Sequence, residues 1–265
     1  IKYKKGLKNF IFMLRDNFLL RNIRNLILFF FLVIFIICWP LIDDYGVTLD
    51  DFGYYTNGYN SYLYAKSVFE SFFDSQVDTT KPRAALSMLP TTYELFLISI
   101  CKLLNINDIK QIYLAAHRIN FLLFFLSLIV FFKFIQKRFE NNYISFLGVI
   151  FFILSPRIFA ESFYNSRDIF FMCLFIFYLN SLFNFLNKKN LINIIFFSFF
   201  TALLINSRIL GLLPMFIFSF IYIYNFLNNK QKFIAERKNI FLYFIFSILF
   251  VYIFWPFLWN NPFNN

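Results

Sequence analysis

The run Leu26-Ile-Leu-Phe-Phe-Phe-Leu-Val-Ile-Phe-Ile-Ile-Cys-Trp-Pro-Leu-Ile42 decides the fold class, because it carries no charge and is long enough to cross a bilayer as a helix. Trp39 is typical of a membrane interface, and Pro40 is tolerated in a last helical turn. Segment 1–25 has seven basic residues and a single acidic one, Asp16. We therefore expect this segment to be cytoplasmic and the run to cross outward.

Further apolar runs follow along the whole chain. Hydrophobic residues make up 60% of the 265 positions, which excludes a water-soluble core. The expected crossings are 26–42, 118–136, 143–156, 169–187, 191–206, 210–227 and 240–257. Each must be helical, because a lone strand leaves its backbone groups unpaired in lipid. The sequence therefore predicts an all-α polytopic membrane protein with about seven transmembrane helices.

The chain is expected to form one membrane domain, 1–265. It begins at Ile1 and stops in a polar stretch at Asn265, so we expect a fragment of a longer protein. Cys38, Cys101 and Cys173 have neither CxxC nor Cys/His spacing, and they predict neither a disulfide framework nor a zinc site.

Segment 93–104 leaves the topology open, because it is apolar but short and carries Glu94 and Lys102. If it crosses, the basic clusters at 133–138, 188–189 and 230–238 lie outside, against the preference of short loops. If it lies on the outer surface, they lie inside. We therefore predict an interfacial helix here, within a long external first loop, 43–117. The same distribution explains the net charge of +11, so no nucleic-acid partner is expected.

With this topology, several polar clusters share the outer face. The first is Asp50-Asp51 within Tyr45-Gly-Val-Thr-Leu-Asp-Asp-Phe-Gly-Tyr-Tyr55, and the second is the stretch Ser155 to Asp168. Arginines lie at outer helix ends against the positive-inside trend, at Arg118, Arg157, Arg167 and Arg208. Several together indicate a bound anion, because guanidinium groups hold phosphate through forked hydrogen bonds. The alternative for Arg118 and Arg208 is snorkelling to lipid headgroups.

Two other residue types on this face have ordinary explanations. His117 fits a simply hydrogen-bonded interfacial histidine. Trp255 and Trp259 fit an aromatic belt at the interface, with stacking on a sugar as the alternative.

The ordered loops of this face resemble those of the GT-C membrane glycosyltransferases. The likeness rests on Asp50-Asp51, the arginine opening the second crossing, Ser-Pro-Arg at 155–157, Asn-Ser-Arg at 206–208 and Trp-Pro-Phe-Leu-Trp-Asn-Asn-Pro at 255–262. It is most similar to the family 39 type, bacterial relatives of the protein O-mannosyltransferases and the lipid A aminoarabinose transferase. The family's Asp-Glu reads Asp-Asp here, its His-Pro-Pro is replaced by Met88-Leu89-Pro90, and the later helices of larger members are missing.

The resemblance implies a GT-C-like helical bundle, a polyprenyl-phosphate sugar donor and a lipid, glycan or protein acceptor. It also implies a bacterial inner membrane with the active face periplasmic. Transfer would need a carboxylate base and cations on the leaving phosphate. We expect Asp50 or Asp51 to be the base, with Asp50 favoured because it is first in the acidic pair.

Arg118, Arg208 and Arg157 are the candidates for holding the donor phosphate. Asp168, Glu161, Asn165 and Arg167 are candidates for the acceptor side. Glu161, Asn165 and Asp168 share a helical face if their loop is wound. Asp168 would bind acceptor or a divalent cation, or simply favour a helix start. No cofactor is otherwise indicated, and the metal requirement stays open. A transporter of lipids or solutes and an inactive structural partner are the alternatives to an enzyme.

Overall fold

The computed structural model describes residues 25–86, 88–228 and 230–259, and these residues are helical almost throughout, with no strand. The expected cytoplasmic segment 1–25 lies, except for its last residue, outside the described residues. The helices are α1 (Asn25–Asp44, ending in a 3-10 turn), α2 (Asp51–Ser71), α3 (Thr80–Ala84), α4 (Thr92–Leu103), α5 (Ile109–Phe139), α6 (Asn142–Ile153), α7 (Pro156–Tyr164), α8 (Ser166–Asn187), α9 (Leu191–Ser207), α10 (Leu212–Asn228) and α11 (Lys230–Phe254). Short 3-10 turns, Ile209–Gly211 and Pro256–Trp259, follow α9 and α11.

Asp and Asn side chains start four of these helices. Asp108 accepts a hydrogen bond from the Gln111 amide at the start of α5, and Asn141 accepts from two amides at the start of α6. Asn165 and Asn190 do the same for α8 and α9. Each cap satisfies amides that the first helical turn leaves free, which is why the chain turns at these polar residues between apolar runs.

Among the described residues, four helices are long and apolar enough to cross a membrane: α1, α5, α8 and residues Arg237–Phe254 of α11. Helices α6 and α7 would make a fifth span together, but the axis bends by 69° between them. Helix α9 and residues Ile209–Tyr224 are apolar but shorter. Each expected crossing therefore falls on an apolar helix, although length and composition alone qualify only four or five.

Helices α5, α8, α9 and α11 pack side by side in that order. Aromatic rings fill the centre, with Phe197 stacked on Tyr243 at a centroid distance of 4.4 Å. Small polar side chains join the same helices, since Ser198 donates to the Tyr243 carbonyl at 3.1 Å and Thr201 Oγ1 lies 3.2 Å from the Tyr243 hydroxyl. Such bonds are expected between helices in lipid, where burial of apolar surface gives no driving force.

The bundle has two chemically different ends. One end, which we call the lysine end, contains residues 133–142, 188–190 and 237–238, and here Lys137 donates to Asn180 and Asn184 at the ends of α5 and α8. The other, the cleft end, contains the end of α1, helices α2, α4 and α7, the start of α8 and residues 206–211 and 254–259. The expected clusters at Asp50-Asp51, 155–168 and 206–208 all lie at the cleft end.

Helix α4 covers the expected interfacial segment 93–104. It has 12 residues, so it is about 18 Å long and too short to cross a hydrocarbon core of about 30 Å. Helix α5 has 31 residues, about 46 Å, and exceeds the same thickness. It begins at Ile109 rather than at 118. Residues 109–117 of the expected loop 43–117 are therefore helical, and His117 lies within the first three turns of α5.

Helix α2 lies across the cleft end. Its Tyr55 packs near Tyr113 of α5, and its Tyr64 packs near Trp259 after α11. Between them, Gly58 meets α4 so closely that a methyl group at this position would lie 2.3 Å from Glu94 Cβ. A glycine is required for this contact, and it brings the Glu94 side chain under α2.

Candidate functional site

A cleft opens between α2, α4, α5 and the start of α8, with about 370 Å³ of empty space, part of it open to solvent. Tyrosines dominate its wall, and its charged residues are two carboxylates. The lining residues are Asp51, Tyr54, Tyr55, Tyr93, Glu94, Leu97, Ile112, Tyr113, Ala116, His117, Tyr164 and Ser166.

The two adjacent aspartates have different environments. Asp51 is the first residue of α2, lines the cleft and accepts a hydrogen bond from the Thr48 amide at 2.7 Å. Asp50 precedes the helix, is exposed and makes no side-chain capping bond. Asp51 is therefore the member of the pair that faces the cleft, although Asp50 was favoured from the sequence.

A buried ion pair joins α4 to the start of α8 beside the cleft. Arg167 Nε donates to Glu94 Oε1 at 3.0 Å, and the side chains are only 16% and 5% exposed. The Arg167 guanidinium also lies 3.6 Å from the centroid of the Tyr54 ring, a cation–π contact. Burial raises the pKa of the Glu94 carboxyl, and the Arg167 charge opposes that rise.

Arg167 has unused hydrogen-bonding capacity. Its Nη2 is buried and has no partner among the described residues. A second, smaller cavity adjoins the pair, with about 210 Å³ of empty space that includes open solvent. It is lined by Pro90, Thr92, Tyr93, Glu94, Arg167, Phe170 and Ser207. Arg167, expected on the acceptor side, is thus the cation nearest to both cavities.

Asp168, Asn165 and Arg208 come together at the start of α8. Asn165 caps the helix by accepting from the Asp168 amide, and its own amide donates to Asp168 Oδ2 at 3.0 Å. Arg208 donates to Asp168 Oδ1. The cap of α8 is therefore Asn165, while Asp168 is the ion-pair partner of Arg208. Because the helix breaks at Asn165, Glu161 does not continue on one helical face with Asp168, as the wound loop would have required.

The remaining two predicted arginines line neither the cleft nor the second cavity. Arg118 binds both carboxylate oxygens of Asp43 at 3.1 and 3.2 Å, and the two side chains are 46% and 55% exposed. Arg157 pairs with Glu161 one turn along α7 and is 81% exposed. All four predicted arginines therefore have a carboxylate partner within the chain, and an incoming phosphate would have to compete with these partners.

His117, Glu94 and Tyr54 were not predicted as site residues. His117 is 3% exposed, and neither ring nitrogen has a partner in the part of the chain that the structure describes. Glu94 carried one signal in the sequence, a charge inside an apolar segment, which marks functional candidates near a membrane. For His117 and Tyr54 no such signal exists, because their role depends on the approach of α2 to α5 and α8.

A divalent cation also remains a prediction. Within residues 25–86, 88–228 and 230–259, no group of three or more His, Cys, Asp or Glu side chains is arranged to hold a metal ion. Asp168 has one oxygen on Arg208 and the other on Asn165, so any cation there would have to displace Arg208.

The arrangement is suited to proton abstraction beside a polar ligand. A carboxylate, Asp51, lines an aromatic cleft. The Arg167 guanidinium contacts Glu94 and Tyr54 of the cleft wall, and its Nη2 has no partner among the described residues. Comparison of the chain with protein-family models, with curated proteins and with solved structures found no match.

Proposed function

We propose that this chain is an inverting membrane glycosyltransferase of the GT-C type, which moves a sugar from a polyprenyl-phosphate donor to an acceptor hydroxyl. The observation that carries the proposal is Asp51, a carboxylate lining a tyrosine-rich cleft at the end of the bundle opposite the lysines. A general base for this reaction needs such a position, within reach of a ligand and shielded on several sides from water.

The reaction requires one displacement. The acceptor oxygen attacks the anomeric carbon as the bond from that carbon to the phosphate oxygen breaks, and the phosphate leaves with the electron pair. Asp51 takes the acceptor proton. Because phosphate is a good leaving group, no second carboxylic acid is needed, and a single displacement inverts the anomeric centre.

Charge developing on the phosphate needs cations. Arg167 is the best placed, because its Nη2 is without a partner in the described chain and adjoins the second cavity. Arg208 lies at the same cavity edge, next to Ser207, but is held by Asp168. We propose that phosphate is bound by Arg167 first and by Arg208 in exchange for Asp168, with Arg118 and Arg157 in outer positions.

The proposal includes seven crossings and a cleft end on the non-cytoplasmic side of a bacterial inner membrane. The distribution of charge supports this orientation. The lysine end carries Lys133, Lys137, Arg138, Lys188 and Lys189, whereas Arg118, Arg157, Arg167 and Arg208 at the cleft end each have a carboxylate partner. Short loops rich in basic residues are retained on the cytoplasmic side.

The base assignment is tested with Asp51→Asn and Asp50→Asn as a matched pair, purified in lipid nanodiscs with polyprenyl-phosphate sugars and glycan or lipid acceptors. We expect Asp51→Asn to lower transfer by about a hundred- to ten-thousand-fold, the usual contribution of a general base, with donor affinity unchanged. Asp50→Asn should stay near the parent rate.

Equal rates in the two variants would contradict the assignment of Asp51. If the parent releases no polyprenyl phosphate with any donor, the enzymatic proposal fails. Movement of the lipid or a solute across the membrane by the parent, without bond cleavage, would then favour a transporter.

A further inference from the structure

His117 forms the inner wall of the cleft and is the least satisfied polar side chain there. It is 3% exposed, yet neither Nδ1 nor Nε2 has a partner among the residues described. A buried imidazole without hydrogen bonds destabilises a protein unless something else supplies them. The ring also lines the cleft, so a ligand bound there can reach it.

The position of His117 is fixed by its neighbours. The Tyr93 hydroxyl donates to the carbonyl of Ala116, the preceding residue, at 2.8 Å, which ties α4 to α5 at this turn. His117 and Asp51 line the same cleft. The imidazole is therefore held beside the proposed base.

The rest of the wall defines the chemical class of ligand. Its charged residues are Asp51 and Glu94, and Glu94 is paired with Arg167. Asp51 is therefore the lining charge without a cation beside it, and the part of the cleft next to Asp51 disfavours an anion. Its aromatic rings include those of Tyr54, Tyr55 and Tyr113, which suit a ligand with a flat apolar face and a polar edge. A sugar ring has both, because its C–H groups pack on aromatic rings while its hydroxyls donate to carboxylates.

We infer that His117 binds a hydroxyl group of a sugar ring seated in this cleft and places that sugar beside Asp51. A neutral imidazole has one donor and one acceptor nitrogen, so it can either accept the hydroxyl proton or donate to the hydroxyl oxygen. The phosphate then lies on the Arg167 side, outside the acidic part of the cleft. The inference rests on the proposed function for the source of the sugar, which is either the donor or a glycan acceptor.

The test measures binding separately from turnover. The full chain in nanodiscs is titrated with undecaprenyl phosphate and with undecaprenyl phosphate carrying glucose, galactose, mannose or arabinose. His117→Phe removes the polar atoms and keeps a flat ring, and His117→Asn keeps a donor and an acceptor. His117→Leu replaces the Phe variant if the latter does not fold.

We expect His117→Phe to weaken binding of the best sugar-bearing lipid by about tenfold, the effect of one lost hydrogen bond. Binding of undecaprenyl phosphate should not change, and His117→Asn should recover most of the loss. The thermal stability of ligand-free His117→Phe should equal or exceed that of the parent, because an unsatisfied group has been removed. A structural role would instead lower that stability.

A glycan acceptor is the second arm. If donor affinity is unchanged but the KM for a glycoside acceptor rises by about tenfold, His117 holds the acceptor sugar, which also supports the inference. Equal losses of affinity for undecaprenyl phosphate and for its sugar-bearing form would overturn the inference. So would unchanged binding of both the donor and the acceptor. If sugar binding depends on His117 but the parent has no transferase activity, the proposed function alone is refuted. If transfer occurs and neither sugar binding nor the acceptor KM changes in the His117 variants, this inference alone is refuted.

Discussion

Replacing Gly58 with alanine should separate the two helices that build the cleft. The new methyl group would lie 2.3 Å from Glu94 Cβ, 3.0 Å from its carbonyl carbon and 3.2 Å from its Cα. Ordinary contact begins at 3.4 Å, so α2 and α4 must move apart by about 1 Å. Because two of these three atoms belong to the backbone, no rotation of the Glu94 side chain relieves the clash.

The magnitude follows from two opposing effects. Overpacking costs about 1–3 kcal/mol, and the better helix propensity of alanine returns at most about 1 kcal/mol. Since backbone atoms are involved, we take the upper cost and expect Gly58→Ala to lose about 2 kcal/mol of stability. A displacement of about 1 Å in Glu94 and its partner Arg167 should also lower transfer by about a hundredfold.

Gly53 in the same helix provides the matched control, because nothing lies within 4 Å of a methyl group built there. Gly53→Ala should be neutral or stabilising by up to about 1 kcal/mol. The assay is thermal unfolding followed with a thiol-reactive dye, which suits this chain because Cys38, Cys101 and Cys173 are all buried. A Gly58→Ala protein as stable as the Gly53→Ala protein would refute the close packing of α2 on α4.

Two further predictions concern topology and pH. A reporter fused after Lys189 should be cytoplasmic and one within 105–112 external, because the basic loops lie at the lysine end. A cytoplasmic reporter at 108 would contradict this orientation. The raised pKa of Glu94 means that the folded state binds its proton more tightly than the unfolded state, so stability should fall as the pH rises above the ordinary value of 4.5. Unfolding midpoints of the parent and of Glu94→Gln from pH 4 to 7 measure this, and a variant with the same pH slope as the parent would contradict it.

The helices and their polar end were largely predictable from sequence. Apolar runs without charges mark helices in lipid, and Asn or Asp residues between them mark the turns. The clusters at 50–51, 155–168 and 206–208 lie at one end of the bundle, as a shared face requires. Arg208 contacts Asp168, and Asp51 lines one cleft with Tyr164 and Ser166. The sequence allowed this prediction because each predicted crossing reverses the direction of the chain, so alternate loops lie at the same end.

The pairings within the cleft end were not predictable. Arg167 and Glu94 are 73 positions apart, and Arg118 and Asp43 are 75 apart, so no local pattern connects them. The choice between Asp50 and Asp51 depends on where α2 starts, because one residue along a helix turns a side chain by about 100°. The bend between α6 and α7 was also missed, although Pro156 at the start of α7 marks it.

The hydroxyl of Thr92 ties the first residue of α4 to two much later parts of the chain. It donates to the Asn206 carbonyl at 3.0 Å and lies 3.5 Å from the Phe254 carbonyl, 114 and 162 positions away. A ribosome adding about 5–20 residues each second takes roughly 8–32 s to make the longer of these intervals. Until the chain reaches first α9 and then α11, α4 can pack only on earlier helices such as α2 and α5. The second cavity, whose lining extends to Ser207, is therefore completed later than the cleft, whose lining ends at Ser166, and a chain stalled before α9 would have the residues of the cleft without those of the second cavity.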